Sequence, residues 1–270
     1  MPLEKNLPIG IFDSGVGGLT VMRQLAHLLP NEDLIYLGDT ARVPYGTRSP
    51  EVVRKYTLEA TDFLLEKKIK LLIVACHTAS SHSLEILQEK HSIPVIGVVH
   101  SGFEELMQSG VHQRVAILGT QSTIGSGLYQ NLIHQKSAKA ECFPVACPLF
   151  VPLIEEGLLD HPITEQVAEY YLQFLRPKQI DAALLACTHY PLIRPIIQQV
   201  LGLTVTLIEP AEAVARKALQ CLSHSQNLNS QKTKSHMQFF ATDDPNKFIR
   251  MAKLFFGSEV KEVTKANLFS

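Results

Sequence analysis

Short apolar runs alternate with stretches of helical spacing along most of the chain. Residues 8–13, 34–39 and 71–75 read as strands, and 93–99 as a fourth. Between them, 19–29 has helical spacing, with Leu19, Met22, Leu25, Ala26 and Leu29 on one face. Helices are also predicted over 51–67 and 78–91. The pattern then begins again. A strand opens at Val115, followed by a small-residue loop into a helix. Strands over 143–146, 180–186 and 204–208 and a helix over 164–176 come next. A helix over 211–222, a polar loop over 223–235, a strand over 237–242 and a helix over 246–256 complete the chain. This alternation predicts an α/β protein with mostly parallel sheets covered on both faces. The opening segment and a later cysteine segment recur in the same order, about 105 and 111 residues on. Two similar domains related by pseudo-duplication are therefore expected, with the active site in the cleft between them. Their expected extents are 1–99 with 210–270, and 100–209.

Two predicted strands end in the same device. Leu72-Ile73-Val74-Ala75-Cys76-His77-Thr78 and Leu184-Leu185-Ala186-Cys187-Thr188-His189 each close an apolar run with Ala-Cys. Polar residues able to start a helix follow. A thiol placed there faces a helix N-terminus, whose free N–H groups and dipole favour the thiolate. Two such thiols from two similar halves suit proton chemistry on both sides of a substrate. Ligands of open α/β sheets bind beyond the carboxyl ends of the strands. Asp13, Ser14, Asp39, Cys76, Thr120 and Cys187 all fall at such ends. For Asp13 and Asp39, capping and loop hydrogen bonding are the alternatives. Thr78 and Thr188 offer hydroxyl and N–H groups to a carboxylate, or cap their helices. His189 is a candidate to orient the neighbouring thiol or exchange its proton. Glu155 is a candidate to tune His189 or the second thiol. Gly15-Val16-Gly17-Gly18 has neither phosphate-loop spacing nor a following Lys, so close backbone approach to a small anion is expected instead.

Bulk properties narrow the picture. The chain has 270 residues, 46% hydrophobic and 19% charged, which fits a folded protein of one or two domains. A net charge of −1 supplies no general field for nucleic acid or an anionic membrane. No apolar run approaches the roughly 18 residues of a membrane span. The first residues lack a signal-peptide core, so a cytoplasmic location is expected. Five cysteines are expected to be reduced, with Cys142, Cys147 and Cys221 serving as packing. A zinc site from Cys76, His77, Cys187 and His189 is disfavoured. Adjacent Cys-His side chains diverge, and no Cys-x-x-Cys is present.

The stretches 10–21, 38–46, the Cys76 segment, 151–157 and Ala186-Cys187-Thr188-His189-Tyr190-Pro191-Leu192 together resemble the glutamate racemases of the aspartate/glutamate racemase superfamily. The resemblance runs to about Leu222. It implies cofactor-independent racemisation of glutamate, supplying D-glutamate for peptidoglycan. It implies Cys76 and Cys187 as paired acid and base; Asp13, His189 and Glu155 are the candidates to support them. It further implies that Asp13, Ser14, Tyr45, Gly46, Thr78, Thr188 and His189 lie around the substrate, as does the position of His77; Thr120, at its strand end, is a further candidate. A homodimer is expected, with glutamate as its small-molecule partner and neither nucleic acid nor membrane. A racemase of aspartate, or a weakly active relative binding a partner such as gyrase, are the alternatives. One departure stands out: His77 occupies a position where the family usually has Asn. A cationic imidazole there would strengthen carboxylate binding at low pH.

Overall fold

The computed structural model describes residues 5–229, 235–257 and 260–268. Among the described residues ten strands are present: β1 (Ile9–Asp13), β2 (Leu34–Gly38), β3 (Leu71–Val74), β4 (Val95–Gly97), β5 (Arg114–Gly119), β6 (Glu141–Ala146), β7 (Ala182–Ala186), β8 (Thr206–Ile208), β9 (Met237–Ala241) and β10 (Thr264–Lys265). The helices are α1 (Leu19–Leu28), α2 (Pro50–Glu66), α3 (His77–Lys90), α4 (Val98–Gln108), α5 (Gln121–Gly125), α6 (Leu128–Lys136), α7 (Phe150–Glu155), α8 (Pro162–Leu172), α9 (Arg194–Leu201), α10 (Pro210–His224) and α11 (Pro245–Phe255).

The strands form a six-stranded sheet, β10-β9-β2-β1-β3-β4, and a four-stranded sheet, β6-β5-β7-β8. Every pairing is parallel. β1, β2, β3 and β7 are buried along their whole length, as runs covered on both faces must be. The order β2-β1-β3-β4 in one sheet is repeated as β6-β5-β7-β8 in the other. β3 and β7 therefore hold equivalent places, and Cys76 and Cys187 leave from equivalent strands. The α/β fold with two similar parallel sheets, expected from the recurrence of motifs, is what the chain adopts.

Helix α10 packs on α1 and α4 and joins the halves. Its Lys217 Nζ donates to Glu104 at 2.8 Å, and its Arg216 pairs with Glu105. β9 and β10 extend the first sheet beyond β2. Far from the thiols, Lys70 and Glu32 form a buried ion pair at 2.5 Å. Lys70 also donates to the carbonyls of Lys5 and Asn227, and Glu32 accepts from the Asn229 N–H. The pair ties the starts of β2 and β3 to the segment that follows α10.

Several boundaries differ from expectation. The strand expected over 93–99 is only β4, because the chain turns helical at Val98. Ser101 Oγ bonds back to the Gly97 carbonyl there, and a buried apolar run looks the same at a strand end or a helix start. The helix expected over 164–176 starts two residues earlier, with Pro162 at its first position. It gives way after Leu172 to a 3-10 turn containing Pro177. The loop expected over 223–235 is partly packed: α10 reaches His224 and Asn227 is buried. Residues 230–234 of that loop lie outside the described residues.

Candidate active site

Cys76 stands at the junction of β3 and α3, and its thiol lies 3.4 Å from Ser14 Oγ. Ser14 follows Asp13 at the end of β1, the neighbouring strand. Asp13 is fully buried; its carboxylate accepts from the Gly15 N–H at 2.9 Å and from Thr188 Oγ1 at 3.5 Å. Burial pushes the Asp13 carboxyl above the usual carboxylate range, and the charge on His189 offsets this only in part. Burial, then the Asp13 charge, push the Cys76 thiol up to about 12. The Ser14 hydroxyl and the Ala79 N–H at the α3 N-terminus oppose that rise without cancelling it. The helix end thus favours the thiolate, as its place in the sequence suggests, but desolvation outweighs it.

Cys187 is set differently. No α-helix starts behind it; β7 runs into a turn closed by Tyr190 N–H to Cys187 C=O, then a 3-10 turn over Tyr190–Ile193. Its partner is His189, whose Nδ1 lies 3.9 Å from Cys187 Sγ. His189 Nε2 lies 3.1 Å from Glu155 Oε1. Burial would lower the imidazole pKa, but the contacts with Cys187 and Glu155 outweigh it and raise it to about 10. Packing fixes this arrangement. Phe150 of α7 stacks edge-on against Tyr190 at 5.2 Å, and Tyr190 Oη donates to the Cys147 carbonyl at 2.9 Å. That anchors the helix carrying Glu155 to the turn carrying His189. Phe255 of α11 covers the imidazole edge-on at 5.0 Å.

Both thiols line one cavity of about 300 Å³ between the sheets. Ser14, Tyr45, Gly46, His77, Thr78, Thr120, Glu155, Thr188 and His189 line it too. Asp13 does not; it lies behind Ser14. Asp39 is also absent, because its carboxylate is engaged by Tyr45 Oη at 2.5 Å, Arg42 Nε at 2.6 Å and Thr242 Oγ1 at 2.9 Å. That network holds the loop presenting Tyr45 and Gly46. Thr78, Thr120 and Thr123 share hydroxyl hydrogen bonds of 3.0–3.1 Å across the two halves. Val43, Pro44, Pro148, Val151 and Pro152 add an apolar wall that the sequence reading did not single out. Their signal was present as prolines beside the motif residues.

The family model for Asp/Glu/hydantoin racemases matches residues 9–218. A glutamate racemase from Chlorobaculum tepidum is 47% identical, over 97% of this chain and 98% of that one. The chain belongs to the Asp/Glu/hydantoin racemase family. A crystal structure of glutamate racemase from Francisella tularensis in complex with D-glutamate is 38% identical, covers 98% of each chain and superposes with a TM-score of 0.92. A Bacillus anthracis glutamate racemase isoform is 35% identical with a TM-score of 0.94, over 98% of this chain and 99% of that one. The protein is thus an amino-acid racemase, an isomerase.

Two further features of this racemase bear on the sequence reading. At Gly17 the Gly15–Gly18 loop approaches protein closely, while Gly15 lines the cavity. A Cβ on Gly17 would lie 2.3 Å from Thr188 Oγ1 and 2.4 Å from His189 Nδ1. His77 is buried with neither ring nitrogen bonded, and burial alone pushes it down to about 3. It is therefore neutral at ordinary pH.

Proposed function

We propose that this racemase interconverts L- and D-glutamate without a cofactor, using Cys76 and Cys187 as the two acid/base groups. The observation that carries this reading is two thiols at the ends of equivalent strands, lining one cavity. Inversion at a carbon acid needs a proton removed from one face and another delivered to the opposite face. One thiolate takes the α-proton while the opposite thiol supplies one. Asp13, through Ser14 and Thr188, shapes the surroundings of the first thiol; His189 and Glu155 shape those of the second. Among the described residues no Arg or Lys lines the cavity. A dicarboxylate would be held by the hydroxyls of Ser14, Thr78, Thr120 and Thr188, by His77 and His189, and by N–H groups at the start of α3. Tyr45 and Gly46 line the cavity beside them. The relatives named above, one of them holding D-glutamate, support glutamate as the substrate.

Circular dichroism of the purified protein with L-glutamate should show optical activity decaying to zero without added pyridoxal phosphate or metal. Cys76→Ser and Cys187→Ser should each abolish it. Turnover of aspartate but not glutamate would overturn the substrate assignment. A homodimer, a cytoplasmic setting and supply of D-glutamate to peptidoglycan belong to the same proposal. Among the described residues no helix is long and apolar enough to cross a membrane, and Tyr170 and Phe174 leave large apolar surface exposed. Sedimentation velocity at two concentrations checks the dimer.

A further inference from the structure

The two thiols have unlike connections to water. Behind Cys76 the polar groups lead only back to the catalytic cavity: Ser14 at 3.4 Å lines it, and the fully buried Asp13 is held by the Gly15 N–H and by Thr188, which lines it too. Behind Cys187 they continue. His189 Nδ1 faces the thiol, Nε2 meets Glu155, and the Glu155 side chain is 27% exposed. Glu155 also lines a second, smaller cavity of about 70 Å³ on the far side of Gly15, among Asp243, Asp244 and Lys247. It is the one titratable side chain shared by the two cavities.

We propose that Glu155 is the solvent port of the Cys187 side, through which the free enzyme resets the protonation of its two thiols between turnovers. The inference rests on the two-thiol reading above. Each turnover leaves the thiol that took the proton protonated and the other deprotonated. The next turnover in the same direction needs the opposite state. Beside the Cys187 thiolate His189 is an imidazolium. When turnover leaves Cys187 protonated, the imidazolium first passes its Nε2 proton to Glu155 Oε1 and on to water in the smaller cavity. The remaining ring proton exchanges from Nδ1 to Nε2 through water, the Cys187 Sγ–H bond breaks as the freed Nδ1 takes that proton, and the thiolate–imidazolium pair is restored. Cys76 regains a proton from water in the emptied catalytic cavity. Net charge is conserved, and no co-reactant beyond water is needed. Glu155 acts through His189 and touches no reacting carbon.

A slow reset has its own kinetic signature. When product release outruns the reset, product rebinds the enzyme form it has just left, so at a given fraction of conversion the rate falls as total substrate rises. Full progress curves from L-glutamate and from D-glutamate, over a wide concentration range, should follow simple reversible kinetics for the parent protein. Glu155→Ala should bend downward at high substrate, and added formate or acetate should restore the lost rate several-fold. Glu155→Asp, which keeps the carboxylate, should bend less. Glu155→Ala curves without the downward bend overturn the proposal. So does an inactive Glu155→Ala that neither buffer revives, since that places Glu155 in the chemistry itself. Failure of the parent to racemise glutamate at all would instead overturn the underlying reading, and shows separately in the parent's own assay.

Discussion

At Asp13 stability and activity pull in opposite directions. Its pKa is raised in the fold above that of an ordinary aspartate, chiefly by burial. A buried acid with a raised pKa favours the fold at low pH and costs stability once pH rises through that value. Asp13→Asn keeps an acceptor for the Gly15 N–H and turns an amide toward Thr188 Oγ1. It should therefore melt higher than the parent at high pH, with the difference shrinking as pH falls. Turnover should fall on the order of 10²-fold. Calorimetry and a racemisation assay on one sample check both. His77 gives a second expectation. Because it is neutral far below physiological pH, the KM ratio between His77→Asn and the parent should stay constant from about pH 5 to 8. The change itself should be about 2–10-fold, the worth of one hydrogen bond. A ratio that climbs as pH rises through 6–7 would mean that His77 titrates in the site.

At the scale of elements, the repeated order of strands aims two turns at each other, and glycine lets them close. Gly17, just before α1, lies where a methyl group would strike Thr188 and His189 of the other half. Gly17→Ala should push the Cys187 turn outward. Overpacking of this kind costs about 1–3 kcal/mol; kcat should fall at least about tenfold, since small misplacements at a reacting centre are expensive. A crystal structure or a thiol-reactivity assay at Cys187 would register the displacement. The strand-to-Ala-Cys device was legible in the sequence because it is local: the apolar run, the thiol and the polar follow-on are neighbours in the chain. So was the duplication, since the motifs recur in order. What surrounds each thiol was not. Phe255 reaches His189 from the far end of the chain. Asp39 looked like a cavity residue until Arg42, Tyr45 and Thr242 engaged it. The fate of Cys76 depended on burial, which overrides the helix end that its sequence neighbours predict.

For the whole molecule, the Lys70–Glu32 pair is the clearest test of what holds the first sheet to the C-terminal segment. Both side chains are buried, so removing one partner strands the other. Lys70→Met or Glu32→Gln should each cost about 3–5 kcal/mol in chemical denaturation. The pair lies at the end of the sheet opposite the cavity, so specific activity of the folded fraction should be retained. The double variant should recover part of the loss, because no lone charge is left behind. The unlike settings of the two thiols, a buried carboxyl behind one and an imidazole–carboxylate pair behind the other, meet a limit that no side chain can move. Mirror-image amino acids have equal free energy in water, so the equilibrium constant is one. The ratio of kcat/KM in the two directions must equal it. However differently the chain treats its two sulfurs, dilute L and dilute D substrate are consumed equally fast. Handedness can enter only at saturation, in how each direction divides the same quotient between its kcat and its KM.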